Sequence, residues 1–229
     1  MVNSWFSFLF ILTTYLAFLA MRHIYNRLRM PIFNPVATTT LVIIIGLHLT
    51  DISYDTYMLG GWWIQELLGP AVVALAYPLY HQRSKIIRYR IPLIAGILSG
   101  IVVGMVTGFL YVKVANLPSI YSASFLPKSV TSPIAMEIAD LTGGIPSLAA
   151  ALVILSGIFG ALFGPVLMRI LGITHFLGVG VGLGCAAHGI GTAKAMEYGE
   201  EEAAFSSISM TLSALLYAII LPVAIHYLL

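Results

Sequence analysis

Uncharged apolar runs of helix length recur along almost the whole chain, and they leave few folds open. The first, from Ser4 to Met21, holds no charged residue. In hydrocarbon every backbone group must be bonded internally, so only helices and closed barrels can span a bilayer. The ten-residue alternating strands that a barrel needs are absent from the sequence. Soluble domains carry roughly 25% charged residues, whereas here 9% are charged and 59% hydrophobic, with mean hydropathy +0.97. These features predict an all-α integral membrane protein, a single polytopic domain over 1–229 with no soluble domain. At about 20 residues per crossing, the length allows roughly eight transmembrane segments.

The predicted spans run from about Ser4 to Met21, from after Pro31 to Leu49, and from Trp62 to Tyr80. Next come Pro92 to Val112, the stretch Tyr121 to Asp140, Ile145 to Leu167, Phe176 to Ala195, and Ala203 to Tyr227. The first is read as a retained span, since it lacks a basic n-region and a small-residue cleavage site. The Trp62-Trp63 pair suits a membrane interface, and the aspartates Asp51 and Asp55 fall in the loop before it. Arg22, Arg27, Arg29, Arg83, Lys85, Arg88 and Arg90 are seven of the 11 basic residues, and they lie after spans one and three. Both loops are therefore expected in the cytoplasm, which puts both termini outside and Glu200-Glu201-Glu202 inside. Should stretches five and seven return as re-entrant hairpins, each lost crossing flips the orientation of every later segment.

Two stretches are expected to be broken helices, about 121–140 and 176–197. In YSASFLPKSVTSPIAMEIAD, Lys128 stands between Pro127 and Pro133. Proline removes a backbone donor and clashes with the preceding turn, and non-helical backbone at membrane depth needs protein or a watery cavity beside it. The second stretch, LGVGVGLGCAAHGIGTAKA, is too rich in glycine for one regular helix. TSPIAMEIAD and GIGTAKAMEYGE both place Ala-Met-Glu after a break and before a full span. Interrupted segments at corresponding positions are a pointer to a carrier binding site.

An intramembrane cation is by default a functional residue. Lys128, with Ser129, Thr131 and Ser132 and a half-helix expected to start near Ser129 and Val130, makes a candidate site for a small carboxylate. The facing half is expected from His188, Gly189, Gly191 and Thr192, with His188 as the proton-coupling candidate. The plainer alternatives are a snorkelling Lys128, a packed His188, and Ser129, Thr131 and Thr192 serving only as caps. Asn34 and Tyr77 are weaker candidates, beside Pro35 and Pro78. Lys194 with Glu197, and Glu137 with Asp140, read as surface groups. The ladder Gly96, Gly100, Gly104, Gly108 reads as a helix-packing face. Cys185, the one cysteine, permits no internal disulfide and no CxxC site. No enzyme motif is present, and GVGVGLG lies in an apolar run with no strand before it. No enzyme, metal, cofactor or nucleic acid is expected.

ISYDTY, LGPAVVALAYPLY, LPKSVTSPIAM, GGIPSL, HGIGTAKAME and AAFSSIS together resemble the LrgB/CidB family of bacterial inner-membrane, antiholin-like proteins, over essentially the whole chain. The resemblance implies an inverted-repeat carrier architecture with crossed broken helices. It also implies a small-monocarboxylate substrate, since plastid relatives exchange glycolate and glycerate and some bacterial relatives are implicated in pyruvate uptake with a small LrgA-like membrane partner. The leading expectation is thus a secondary carrier working by alternating access, as a homodimer in the inner membrane. The alternative is an antiholin-like regulator of murein hydrolases and lysis.

Overall fold

The computed structural model describes residues 2–28, 30, 33–67, 70, 73, 74 and 76–228. Among these the regular elements are all helical. They are α1 (Val2–Leu28), α2 (Pro35–Leu49), α3 (Tyr54–Glu66), α4 (Ala76–His81), α5 (Arg83–Arg88), α6 (Arg90–Val114), α7 (Ser119–Phe125), a 3-10 turn (Leu126–Ser129), α8 (Ser132–Leu141), α9 (Pro146–Ile170), α10 (Phe176–Ala195) and α11 (Glu200–Leu228). The chain divides into two compact units, Met1–Ala74 and Leu75–Leu229. Among the described residues five helices, α1, α6, α9, α10 and α11, are long and apolar enough to cross a membrane.

In the first unit α1 packs on α2 and α3. Gly60 allows the close approach of α3, since a Cβ there would stand 2.5 Å from the Ser7 carbonyl oxygen and 2.9 Å from Phe10 Cβ. Tyr57 fills the space beside it, edge-on to Phe10 at 5.7 Å and with its hydroxyl 2.9 Å from Thr14 Oγ1. The third expected span differs from what is seen. Its helix begins at Tyr54, because Ser53 accepts a hydrogen bond from the Thr56 amide and caps it there, and it ends at Glu66. The rest of Trp62 to Tyr80 is partly outside the described residues, with α4 following at Ala76.

The second unit is built on glycine faces. Along α6, a Cβ on Gly96 would meet Val181 at 2.9 Å and one on Gly100 would meet Cys185 at 3.3 Å. Further on, Gly104 faces Tyr217 and Ser129, Gly108 faces Leu126, and Tyr111 stacks on Phe125 with centroids 4.7 Å apart. The first half of α6 thus faces α10, and the second half faces the stretch after α7. Along α9, Gly164 meets Leu183, Gly160 meets Ala187 and Gly157 meets Ile190.

In stretches five and seven, residues on either side of an interruption lie against each other. In α10, Gly191 lies against the Leu183 carbonyl, and Val179, Leu183 and Ala195 share one buried cluster. A straight helix would separate Gly191 from Leu183 by about 12 Å and Ala195 from Val179 by about 24 Å. The reversal falls at His188, whose φ of 50° and ψ of −127° interrupt the helix. Its tip, next to Gly157, reaches the middle of α9. In the other stretch, Val130 and Thr131 are extended between the 3-10 turn and α8. The Ile145 amide then donates to Ser124 Oγ at 2.7 Å, and Gly144 lies against the Ser124 backbone. The chain has therefore come back beside its own first arm. Ser129 at this tip stands opposite Gly104, half-way along α6, so the two hairpins approach from opposite ends and meet near the middle.

One end of the unit is marked by aromatic rings. Tyr89, before α6, packs edge-on to Phe176 at 5.7 Å and to Phe205 at 5.3 Å, so α6, α10 and α11 start at the same end. Lys85 Nζ reaches Glu201 Oε1 at 3.8 Å there, with both side chains largely exposed. Because exposed pairs contribute little, Glu201→Ala should change stability by no more than about 0.5 kcal/mol, read as an unchanged melting curve.

Candidate functional site

Lys128 sits on the 3-10 turn at the tip of the first hairpin, where Pro127 stands at its start and Val130 ends it in extended backbone. The side chain is half-buried. Its Nζ donates to Ser129 Oγ at 3.5 Å and lies 5.3 Å from the Phe125 ring centroid, within reach of a cation–π attraction. No carboxylate among the described residues pairs with it; the ion pairs there are Lys85–Glu201 and Lys194–Glu197.

Lys128 and Ser129 line one end of an open groove of about 550 Å³. One wall is α6 from Pro92 to Thr107, and the other is the first arm of α10 from Leu177 to Ala186. No acidic side chain lines it, so Lys128 sets the sign of the charge that the cavity prefers. The polar remainder is modest. Ser99 Oγ donates to the Gly96 carbonyl at 2.9 Å and Thr107 Oγ1 to the Val103 carbonyl at 2.7 Å, which leaves both oxygens able to accept. The arrangement suits a small anion with an apolar body, held at one end by an ammonium and a hydroxyl.

The other expected residues fall around this cavity rather than in it. Thr131 precedes α8, but its side chain caps nothing and its buried Oγ1 has no partner. Ser132 is the first residue of α8, which starts there and not at Ser129 or Val130; the extended backbone of Val130 and Thr131 delays it. His188 is 3% exposed, lies against the Lys128 backbone, and has neither ring nitrogen in hydrogen-bond geometry. Gly189 is exposed with open space where a Cβ would go, while Gly191 is buried in the hairpin. Thr192 Oγ1 caps no helix start. It donates back to the His188 carbonyl at 2.9 Å and meets Ser206 Oγ at 2.9 Å, tying the hairpin to α11.

Tyr77 is exposed and stacks on His81 at 5.7 Å. Asn34, in the first unit, accepts from the Val36 and Ala37 amides at 3.0 and 3.2 Å and so caps α2. Asn34→Ala should cost that unit about 1 kcal/mol, measured as a lower melting temperature. Lys194 pairs with Glu197, and Glu137 and Asp140 are exposed, as surface groups would be.

Sequence reasoning missed the wall of the cavity. The glycine ladder does pack helices, but three of its rungs also line the space above Lys128, with Ser99 and Thr107 each three residues beyond a rung. Residues three apart share a helix face, so hydroxyls on the glycine side of an otherwise Ile/Val/Leu helix were the available signal. Tyr217, buried to 2% and donating to the Ile101 carbonyl at 3.2 Å, had none.

A family model described as the LrgB-like family matches residues 14–227. Among similar proteins, "Uncharacterized protein YxaC" of Bacillus subtilis is 43% identical over 216 residues, covering 94% of each chain. "Holin-like protein CidB" of Staphylococcus epidermidis is 34% identical over 217 residues, covering 95% of each. The CidB of Staphylococcus aureus strain Mu50 is likewise 34% identical over 217 residues. No solved structure matches.

Proposed function

Because the chain belongs to the LrgB family and is a multi-pass membrane protein of all-helical build, we propose that it acts as a holin-like membrane component, the role named for its CidB relatives. That name, on proteins 34% identical over almost the full length, is the observation that supports this reading, and it favours the antiholin-like alternative over the monocarboxylate carrier. In this reading the chain tunes murein hydrolase activity and lysis with a small holin-like membrane partner. It is not an enzyme, and it sits in the cell membrane with the Arg83–Arg90 end in the cytoplasm and both termini outside.

A second reading, the carrier, is favoured by one observation of its own: among the described residues, Lys128 lines a groove without a counter-charge. An unpaired ammonium at membrane depth is costly, and a small carboxylate would neutralise it. The two hairpin-and-span pairs, 119–170 and 176–228, approach from opposite ends and support an inverted repeat with crossed broken helices, which is a build suited to alternating access. Glycolate, glycerate or pyruvate would bring the negative charge that Lys128 lacks. His188, whose ring nitrogens have no partner, is the proton candidate of this reading, and a homodimer is its expected assembly.

Reconstitution into liposomes separates the two. Saturable uptake of labelled glycolate or pyruvate by the purified chain would establish the carrier. Absence of uptake, with and without the small partner, would leave the holin-like reading standing.

A further inference from the structure

The groove between α6 and the first arm of α10 is open along its side. Of its lining, Pro92, Ser99, Val103, Thr107, Gly178 and Ala186 are exposed. Both walls belong to helices long and apolar enough to cross a membrane, so in a bilayer that opening meets hydrocarbon. Val181 and Cys185 meet Gly96 and Gly100 across its floor. Free polarity is confined to one end. Lys128 and Ser129 stand there, whereas the Ser99 and Thr107 hydroxyls donate to carbonyls of their own helix. From Pro92 to Thr107 the α6 wall is about 22 Å long at 1.5 Å per residue. A volume of about 550 Å³ lies in the range of sites that hold ligands far larger than a three-carbon acid.

We propose that this groove binds a single-chain amphipathic carboxylate of the fatty-acid class, its carboxylate on Lys128 Nζ and Ser129 Oγ and its chain along α6 and α10 toward Pro92 and Leu177. The open side decides the class. A short hydroxy acid there would turn its own polar oxygens toward hydrocarbon, where an unbonded polar group is costly. An alkyl chain faces lipid without that cost, and it concentrates the acid in the phase from which the groove is entered. Charge decides the head. Among the described residues no carboxylate pairs with Lys128, so one negative charge neutralises it, whereas a phosphate monoester carries up to about two. A two-chain phospholipid carries one, but its phosphate is held at the interface. Lys128 and Ser129 instead face Gly108 and Gly104, near the middle of α6. The proposal rests on the anion site that the carrier reading puts at Lys128, not on glycolate being the solute.

Stearic acid bearing a nitroxide on its chain, compared with its methyl ester, tests this in phosphatidylcholine vesicles holding the full chain. The pH is set so that the membrane-bound acid is ionised. Electron spin resonance separates chains held against protein from chains free in lipid. The acid should be held about tenfold more strongly than the ester, at a site that saturates near one per chain. Lys128→Met should bring the acid down to the ester, and Lys128→Arg should keep most of the preference. Ser99→Trp, which puts an indole on the exposed wall and leaves Lys128 in place, should weaken acid binding about tenfold. Equal holding of acid and ester by the unaltered chain would overturn the proposal. So would a preference that survives Lys128→Met, or one that Ser99→Trp leaves unchanged. Glycolate uptake in the same vesicles reads the carrier account separately. Saturable uptake without a preference for the spin-labelled acid removes the amphiphile and keeps the small-acid carrier. A Lys128-dependent preference without uptake keeps the amphiphile and removes the small-acid carrier.

Discussion

Lys128→Met should make the protein more stable and, if a small anion uses the cavity, abolish its uptake. The two effects have opposite signs because they come from one cause. The ammonium is half-buried, it donates to Ser129 Oγ at 3.5 Å, and no carboxylate among the described residues pairs with it. Holding an uncompensated charge at membrane depth costs free energy in the folded state. Methionine has nearly the same length and no charge, so it relieves that cost by about 1–3 kcal/mol, toward the lower end because the cavity reaches Nζ. The anion loses its only opposite charge, and uptake in proteoliposomes should fall at least a hundredfold. Lys128→Arg keeps the charge on a flatter, forked head and should retain a measurable fraction of uptake. In the holin-like reading there is no solute, and Lys128→Met brings the rise in melting temperature without a loss of lysis control. A variant that melts lower than the parent would mean that the ammonium holds the turn together, and would count against both accounts of it.

Half of this site was legible in the sequence. Pro127, Lys128 and Pro133 announce a break beside a charge, because proline cannot continue a helix and lysine cannot sit in lipid. The glycines around His188 announce a second weak point. The sequence does not show that both stretches return. Arms of 12 and 7 residues, joined at one interrupted residue, carry the same hydropathy as one 20-residue span. The glycines carried a subtler sign. Gly180 and Gly184 face α11, while Gly182 faces Met168 of α9, so neighbours press on α10 from two sides. Thr192 and Gly191 were read as cradle residues from the residue types that ligand sites favour. Hydroxyls and glycines also serve hairpins that must pack arm on arm, and here that demand took them. The third span was misplaced for a local reason: Ser53 caps a helix that hydropathy alone would start at Trp62.

The reversal at His188 can be tested by a pair of substitutions whose signs exchange between a hairpin and a straight span. In a straight helix Gly191→Ala is favourable, since alanine is the better helix former by about 1 kcal/mol. In the hairpin its Cβ would run into the Leu183 carbonyl and stand 2.8 Å from Ala187 Cβ. Backbone oxygen cannot step aside as a flexible side chain can, so the arms must separate, at a cost of about 3 kcal/mol. His188→Gly behaves the opposite way. In a straight helix glycine loses about 0.5–1 kcal/mol. At φ 50° and ψ −127° it frees an L-residue from a strained region worth about 1–3 kcal/mol, and it removes a buried ring with two unpartnered nitrogens. The expected result in detergent is therefore a large fall in melting temperature for Gly191→Ala and a rise for His188→Gly. The reverse order would restore a continuous span, put the start of α11 on the other side of the membrane, and break the pairing of Glu201 with Lys85. A stable His188→Gly protein also isolates the imidazole: an unchanged pH dependence of uptake in that background would take the proton role away from His188 while leaving the hairpin in place.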